Sequence, residues 1–275
     1  MLVIFGSYGG TTTGAGDGGG ADAQAVATAS EARGSRRRVI TRAHPSTRDL
    51  LPLASASAIL RAIVDARYLA IEGPPGVGKA VLAERLGQRL DASLVLDDVE
   101  NPFAADRKTR GSGAAFQAQL FHLLARHRQQ EALRQGDLFS QATVCDYLFD
   151  KDKIFAYLTL DDNELFIYQR LYDLLARDLP TPDVVVYLQC PTDRLRKRLR
   201  DRARRSPDRR GADDENLGEL NDAFNHFFFH YTGAPLLVVE TSSLDLDWQD
   251  EDVEDLLRQI EHMQQGTQYY VPRQR

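Results

Sequence analysis

The run Gly73-Pro74-Pro75-Gly76-Val77-Gly78-Lys79 follows the pattern G-x-x-x-x-G-K. Such a turn is suited to hold phosphate. Its glycines let the backbone curl until successive N–H groups point inward at phosphate oxygens, and the lysine adds a charge for the outer phosphates. A helix starting at Lys79 contributes the positive end of its dipole. The next residue is Ala80, where the pattern calls for Ser or Thr, whose hydroxyl ligates Mg²⁺. A methyl group cannot coordinate a cation. Either water and another carboxylate hold the metal, or the site binds nucleotide and turns it over poorly.

A second chemical feature is basic. Residues 194–205 carry Arg194, Arg196, Arg198, Arg200, Arg202, Arg204 and Arg205. A helix rotates these around its axis, so they cannot all face one ligand. Arg198 and Arg202 are four apart and share a face, with Arg204 near the helix end. Guanidinium groups bind phosphate oxygens bidentately and stay charged. A basic helix can also contact nucleic acid, but no aromatic pattern is interleaved here and the whole chain is acidic. The other arginines are assigned to Asp193, Asp201 and solvent. His226 and His230 stand at i and i+4, a metal-ligand spacing. Three phenylalanines lie between them and no third ligand is evident, so a packed helix is the simpler reading.

Strands alternating with helices position these residues. Residues 68–72 read as a buried strand running straight into the glycine turn, and 79–90 as a helix with Val81, Leu82, Leu86 and Leu90 on its buried side. Further strands are expected at 93–98, 142–146, 184–188 and 235–240. Helices are expected at 114–133, 164–179, 192–205, 215–231 and 251–263. The 184–188 strand is continuously apolar, as when both faces of a sheet are covered. The pattern predicts an α/β fold with a five-stranded parallel sheet flanked by helices. Residues 1–54 are low in hydrophobic period and rich in Gly, Ala, Thr and Ser, the composition of a disordered extension. Residues 55–67 read as a short lead-in helix on Ile59, Leu60, Ile63 and Val64. Residues 68–265 form the domain and 266–275 a tail.

The formal charge of −6 gives no whole-chain reason to expect stable nucleic-acid or membrane binding. Two distant cysteines, Cys145 and Cys190, argue against a disulfide scaffold and fit a reducing cytoplasm. No apolar run approaches the ~20 residues of a membrane-spanning helix. The apolar start, residues 1–5, is short for a signal peptide and lacks a preceding basic region.

Several blocks occur in a fixed order: Ile71 to Lys79, Asp97-Asp98-Val99-Glu100-Asn101-Pro102-Phe103, Phe116 to Phe121, Gln135 to Gln141, Asp146 to Ala156, Pro182 to Gln189, and Phe227 to Tyr231. With them the chain resembles the deoxynucleoside kinases, in particular the bacterial deoxyadenosine/deoxyguanosine kinase branch, over about residues 68–240. The resemblance implies a P-loop kinase three-layer fold with an Arg-rich lid, ATP and Mg²⁺ as partners, a deoxynucleoside substrate, a homodimer and a cytoplasmic location. It implies that the γ-phosphoryl of ATP passes to a 5′-hydroxyl, chemistry dominated by positioning and charge stabilisation.

The resemblance also assigns residues. Asp97 matches the carboxylate that accepts the hydroxyl proton, where the family usually has Glu, one methylene longer. Lys79 acts with it, and Gly73, Pro74, Pro75, Gly76, Val77, Gly78, Lys79 and Ala80 cradle the phosphates. Asp146 matches the carboxylate that helps hold Mg²⁺, and Tyr147 stands where many relatives carry an Arg. Gln119 and Arg126, two helical turns apart and hence on one face, match the base-recognition set. Arg126 bonds the base or holds a carboxylate such as Asp150. Arg198, Arg202 and Arg204 match the lid arginines that close over the triphosphate. The leading expectation is a deoxynucleoside kinase, with a purine as its base. Ala80 and Asp97 motivate an alternative: a catalytically impaired nucleotide-binding relative serving as a regulatory or interaction protein.

Overall fold

In the computed structural model, residues 67–98, 100–103, 113–134, 142–205, 216–244 and 248–272 are described. The expectations for 1–54 and for the lead-in helix, apart from Arg67, lie outside them. Six parallel strands form one sheet: β1 (Tyr68–Glu72), β2 (Ser93–Val95), β3 (Thr143–Cys145), β4 (Val184–Gln189), β5 (Leu236–Glu240) and β6 (Thr267–Tyr270). Their order is β2-β3-β1-β4-β5-β6. Among the described residues seven helices accompany them: α1 (Lys79–Leu90), α2 (Ala114–Arg134), α3 (Lys151–Thr159), α4 (Asp162–Ala176), α5 (Thr192–Arg205), α6 (Leu217–Phe229) and α7 (Asp250–Glu261).

Alternation along β1 divides the core, because successive side chains point to opposite faces. Leu69 and Ile71 pack with α1 through Leu82 and Leu86, and with α7 through Val253, Leu256, Leu257 and Ile260. Ala70 faces the other way, with Val185, Tyr187 and Val238, onto Ile154 of α3 and Phe224 and Phe228 of α6. A third cluster joins α2, α3 and α4 through Leu123, Ala156, Tyr168 and Tyr172. From β1 the chain builds β2 and β3 on one side of the sheet and β4 to β6 on the other. The crevice at the carboxyl end of β1 is therefore the topological switch point where α/β sheets bind ligands.

Four expectations are corrected. The sheet has six strands rather than five: residues 267–270, assigned to a tail, pair in parallel with β5 from Leu236↔Thr267 to Val239↔Tyr270. Gly266, at φ +93°, makes the turn into that strand, and Thr and Tyr suit a half-buried edge. Helix α3 was not expected, since its Asp150-Lys151-Asp152-Lys153 opening hides the apolar face behind it. Helix α4 starts at Asp162 rather than 164, fixed by an Asp161/Glu164 capping box, and ends at Ala176 ahead of Pro180. Strand β2 stops at Val95, paired with Cys145, and the chain from Leu96 to Asp98 leaves the ladder.

Candidate functional site

The glycine turn sits at the carboxyl end of β1. Gly73 has φ +156°, and a Cβ there would lie 2.6 Å from the Leu188 carbonyl oxygen. Gly76 has φ +83°, and its Cβ would meet Leu199 Cγ of α5 at 2.9 Å. Both positions need glycine, because an L side chain is strained at that φ and has no room. Helix α1 begins without a side-chain cap at Gly78. Its first N–H groups are thus left for a ligand or water. Lys79 Nζ donates to the Gly73 carbonyl at 2.5 Å and lies 3.5 Å from Glu72 Oε1. Burial lowers the Lys79 pKa, against the pull of Glu72. Ala80 is exposed.

Glu72 is fully buried and joins the turn to the neighbouring strand end. Its Oε1 accepts the Gly73 N–H at 2.8 Å and its Oε2 the Leu148 N–H at 2.9 Å, just past β3. Lys151 Nζ stands 3.9 Å from the same Oε2. Two ammonium groups therefore flank the two oxygens of one carboxylate.

Asp97 lies just beyond β2, where the chain has turned out of the sheet. Its N–H donates to Asp146 Oδ1 at 2.7 Å, which holds the two carboxylate-bearing segments together. Arg126 Nε and Nη2 donate to Asp97 Oδ1 and Oδ2 at 3.0 and 2.9 Å, a bidentate clamp. Lys151 Nζ adds a bond to Oδ2 at 2.5 Å. Burial alone would raise the Asp97 pKa, but Lys151 and Arg126 outweigh it and hold the carboxyl well below the usual range. Arg126 Nη1 also donates to Asp152, a fully buried carboxylate that burial pushes up to about 6 despite that contact. Burial works against the Arg126 charge too, yet Asp152 and Asp97 together raise its pKa. Burial raises Asp146, opposed by the Asp97 N–H and by Lys151 and Lys79.

Tyr147 lies beneath this cluster. Its hydroxyl donates to Gln129 at 3.0 Å, and Lys151 Nζ sits 5.2 Å and the Arg126 guanidinium 5.9 Å from the ring centroid. Lys151, the first residue of α3, thus places an ammonium group over the Tyr147 ring. Gln119 is 2% exposed, on the face of α2 that also buries Arg126, and its Nε2 donates to Thr159 Oγ1 at 3.3 Å.

One residue expectation is corrected by these contacts. The carboxylates that hold Arg126 are Asp97 and Asp152, and Asp150 is not among them. Asp150 accepts from the Tyr172 hydroxyl at 2.7 Å and from Lys153 at 3.0 Å. It lines a cavity of about 600 Å³ between α3 and α6, together with Tyr157, His226 and His230. Arg198 is held by backbone carbonyls. Its Nη2 donates to the Thr241 and Leu244 carbonyls at 2.6 and 2.7 Å, which fastens α5 to the loop after β5. Arg202 and Arg204 are exposed, with Arg204 3.6 Å from Asp201. The part of α5 that meets the turn is apolar: Leu195, and Leu199 against Gly76.

Glu72, Lys151 and Asp152 were missed from sequence. Within 150–153 the charges alternate like a solvated surface. Burial separates them, with Lys151 and Asp152 inside and Asp150 and Lys153 partly exposed. The available signal was that a helix starting there points Ile154 into the core, which carries its neighbours toward the sheet.

The family model for deoxynucleoside kinases matches residues 69–265. Deoxyguanosine kinase of Bacillus subtilis is 34% identical over 145 residues, 50% of this chain and 68% of the relative. Deoxyadenosine kinase of Dictyostelium discoideum is 25% identical over 170 residues, 60% of this chain and 67% of the relative. Among solved structures, deoxyadenosine kinase from M. mycoides with bound dATP superposes with a TM-score of 0.58 at 21% identity, covering 70% of this chain and 98% of that one. The same enzyme with dCMP and a flexible dCDP gives a TM-score of 0.56 at 20% identity, over 70% and 98%. At that identity the structures establish a shared fold.

Proposed function

The chain belongs to the deoxynucleoside kinase family, and from that membership we propose that it transfers the γ-phosphoryl group of ATP to the 5′-hydroxyl of a purine deoxynucleoside. The observation that carries this reading is the Asp97 carboxylate, held by Arg126 and Lys151 beside the Lys79 phosphate turn at the switch point of the sheet. In this reading the glycine turn and Lys79 bind the triphosphate. Asp97 orients the substrate hydroxyl and accepts its proton as the new O–P bond forms, and the bond to the β-phosphate oxygen breaks with its electrons going to ADP. Gln119 and Arg126 read the base from α2, and Arg202 and Arg204 close toward the phosphates. The purine preference draws on the relatives' names, which are a deoxyguanosine and a deoxyadenosine kinase.

Magnesium suits this donor set in a restricted way. Asp146 Oδ1 accepts the Asp97 N–H, and Oδ2 makes no hydrogen bond among the described residues. Magnesium is commonly held by one or two carboxylates with phosphates and waters, so Asp146 can hold it without an oxygen from position 80. When bound, the ion neutralises phosphate charge. Pairing as a homodimer belongs to this reading, supported by the exposed apolar side chains Tyr157, Phe166, Ile167, Leu174 and Phe229 on α3, α4 and α6. A cytoplasmic location is supported by the free, buried cysteines Cys145 and Cys190. No helix among the described residues is long and apolar enough to cross a membrane.

The test is a panel of deoxynucleosides incubated with ATP and Mg²⁺, scored for 5′-monophosphates, with ATP affinity measured in parallel. Deoxyadenosine or deoxyguanosine should be phosphorylated fastest. Ala80, a methyl group in the first turn of α1, favours a second reading: a relative that binds nucleotide without turnover. ATP binding with no product from any deoxynucleoside selects that reading.

A further inference from the structure

Lys151 is a buried cation with hydrogen-bonding capacity to spare. Its side chain is 5% exposed, yet it carries an ammonium with three N–H donors and makes one hydrogen bond among the described residues, to Asp97 Oδ2. Asp97 does not need it for fixing, since Arg126 already clamps both carboxylate oxygens. Burying an ammonium with unused donors is costly unless a further partner arrives.

We propose that Lys151 is the second phosphate-facing cation of this site, donating to the phosphoryl group as it passes from ATP to the substrate hydroxyl. The inference rests on the kinase reading above and adds a catalytic residue to it. Geometry carries it. Lys79 and Lys151 flank opposite oxygens of the buried Glu72, at 3.5 and 3.9 Å. Lys79 belongs to the turn that takes the triphosphate, while Lys151 touches the carboxylate that takes the acceptor hydroxyl. The phosphoryl group moves from the first partner to the second, so its path runs between the two ammonium groups. In a loose transition state its charge is spread over three equatorial oxygens, which pre-placed cations stabilise without reorganisation. The balance of the step is unchanged: the hydroxyl oxygen bonds phosphorus, the β–γ bridging bond breaks with its electron pair leaving on ADP, and the proton goes to Asp97. Lys151 stays protonated and donates only hydrogen bonds. Glu72 keeps that charge neutralised in the resting protein.

The experiment uses the full chain, Lys151→Gln and Lys151→Arg. Glutamine can still hydrogen-bond Asp97 but has no charge, and arginine keeps the charge. The proposal expects Lys151→Gln to lower kcat about 10²–10³-fold, the effect of losing one transition-state donor. KM for the deoxynucleoside and Kd for ATP should stay within about threefold of wild type. Lys151→Arg should remain within about tenfold of the wild-type kcat. A bisubstrate inhibitor joining adenosine to the deoxynucleoside 5′-oxygen through a polyphosphate should bind Lys151→Gln at least about tenfold more weakly. Thermal melts show whether each variant is folded at the assay temperature. A folded Lys151→Gln with wild-type kcat overturns the proposal, as does a loss that Lys151→Arg shares in full. A wild-type protein inactive on every deoxynucleoside overturns the kinase reading and this proposal together, a distinguishable result.

Discussion

The two halves of the site are made in opposite ways. The phosphate turn is one unbroken stretch between β1 and α1, and its chemistry is carried by backbone N–H groups and one lysine. The carboxylate cluster draws Asp97 from the segment after β2, Arg126 from α2, Asp146 from the end of β3, and Lys151 and Asp152 from the start of α3. The first depends on local conformation, above all at Gly73 and Gly76. The second depends on charges that neutralise one another in a buried place, where an unpaired ion costs far more than a pair. A local device can therefore be damaged one residue at a time, while the cluster responds as a unit.

The largest effect should come from Asp97→Asn, which keeps the shape and removes the charge. It should lower kcat about 10²–10⁴-fold, the range for loss of a positioned base. The same variant reports on linkage. Because the folded Asp97 pKa lies below its unfolded value of about 3.9, its stabilising contribution is full above about pH 5 and is lost as pH falls. Urea denaturation of wild type and variant should thus show a constant gap at neutral pH that closes in acid. A gap that widens in acid would contradict the mutual-neutralisation account.

Arg126→Met tests whether the cluster is a unit. It leaves Asp97 and Asp152 without their shared partner, so stability should fall by about 3–5 kcal/mol, read from urea midpoints. A loss below about 1 kcal/mol would mean the carboxylates are independent of it. On the other side, Gly73→Ala should cost about 2 kcal/mol and weaken ATP binding, because its Cβ meets the Leu188 carbonyl rather than a flexible side chain. Unchanged ATP affinity in that variant would detach the turn from phosphate binding. The smallest effect is a gain. Ala80→Thr restores a hydroxyl at the head of α1 and should improve kcat about fivefold, equivalent to about 1 kcal/mol of transition-state stabilisation. An unchanged rate would show that Asp146, water and phosphate oxygens already satisfy the metal.

The sequence by itself determined the parts whose information is contiguous. The Gly73–Lys79 turn, the apolar β1 and β4 strands, the Arg-rich α5 and the shared face of Gln119 and Arg126 all follow from spacing and local φ preference, which neighbours along the chain encode. Two kinds of feature escaped it. One was an edge: β6 carries no strong period, and only β5, offering an unpaired row of N–H and C=O groups, makes a strand of residues 267–270. The other was partnership. That Arg126 pairs with Asp97 and Asp152 and not Asp150, that Arg198 fastens α5 to the Thr241 and Leu244 carbonyls, and that Lys151 stands between Glu72 and Asp97 were decided by tertiary packing. The reason is physical. A charge run such as 150–153 has no intrinsic inside or outside; the helix it opens is rotated by Ile154 and its neighbours seeking the core, and that rotation chooses which charges are buried and whom they meet.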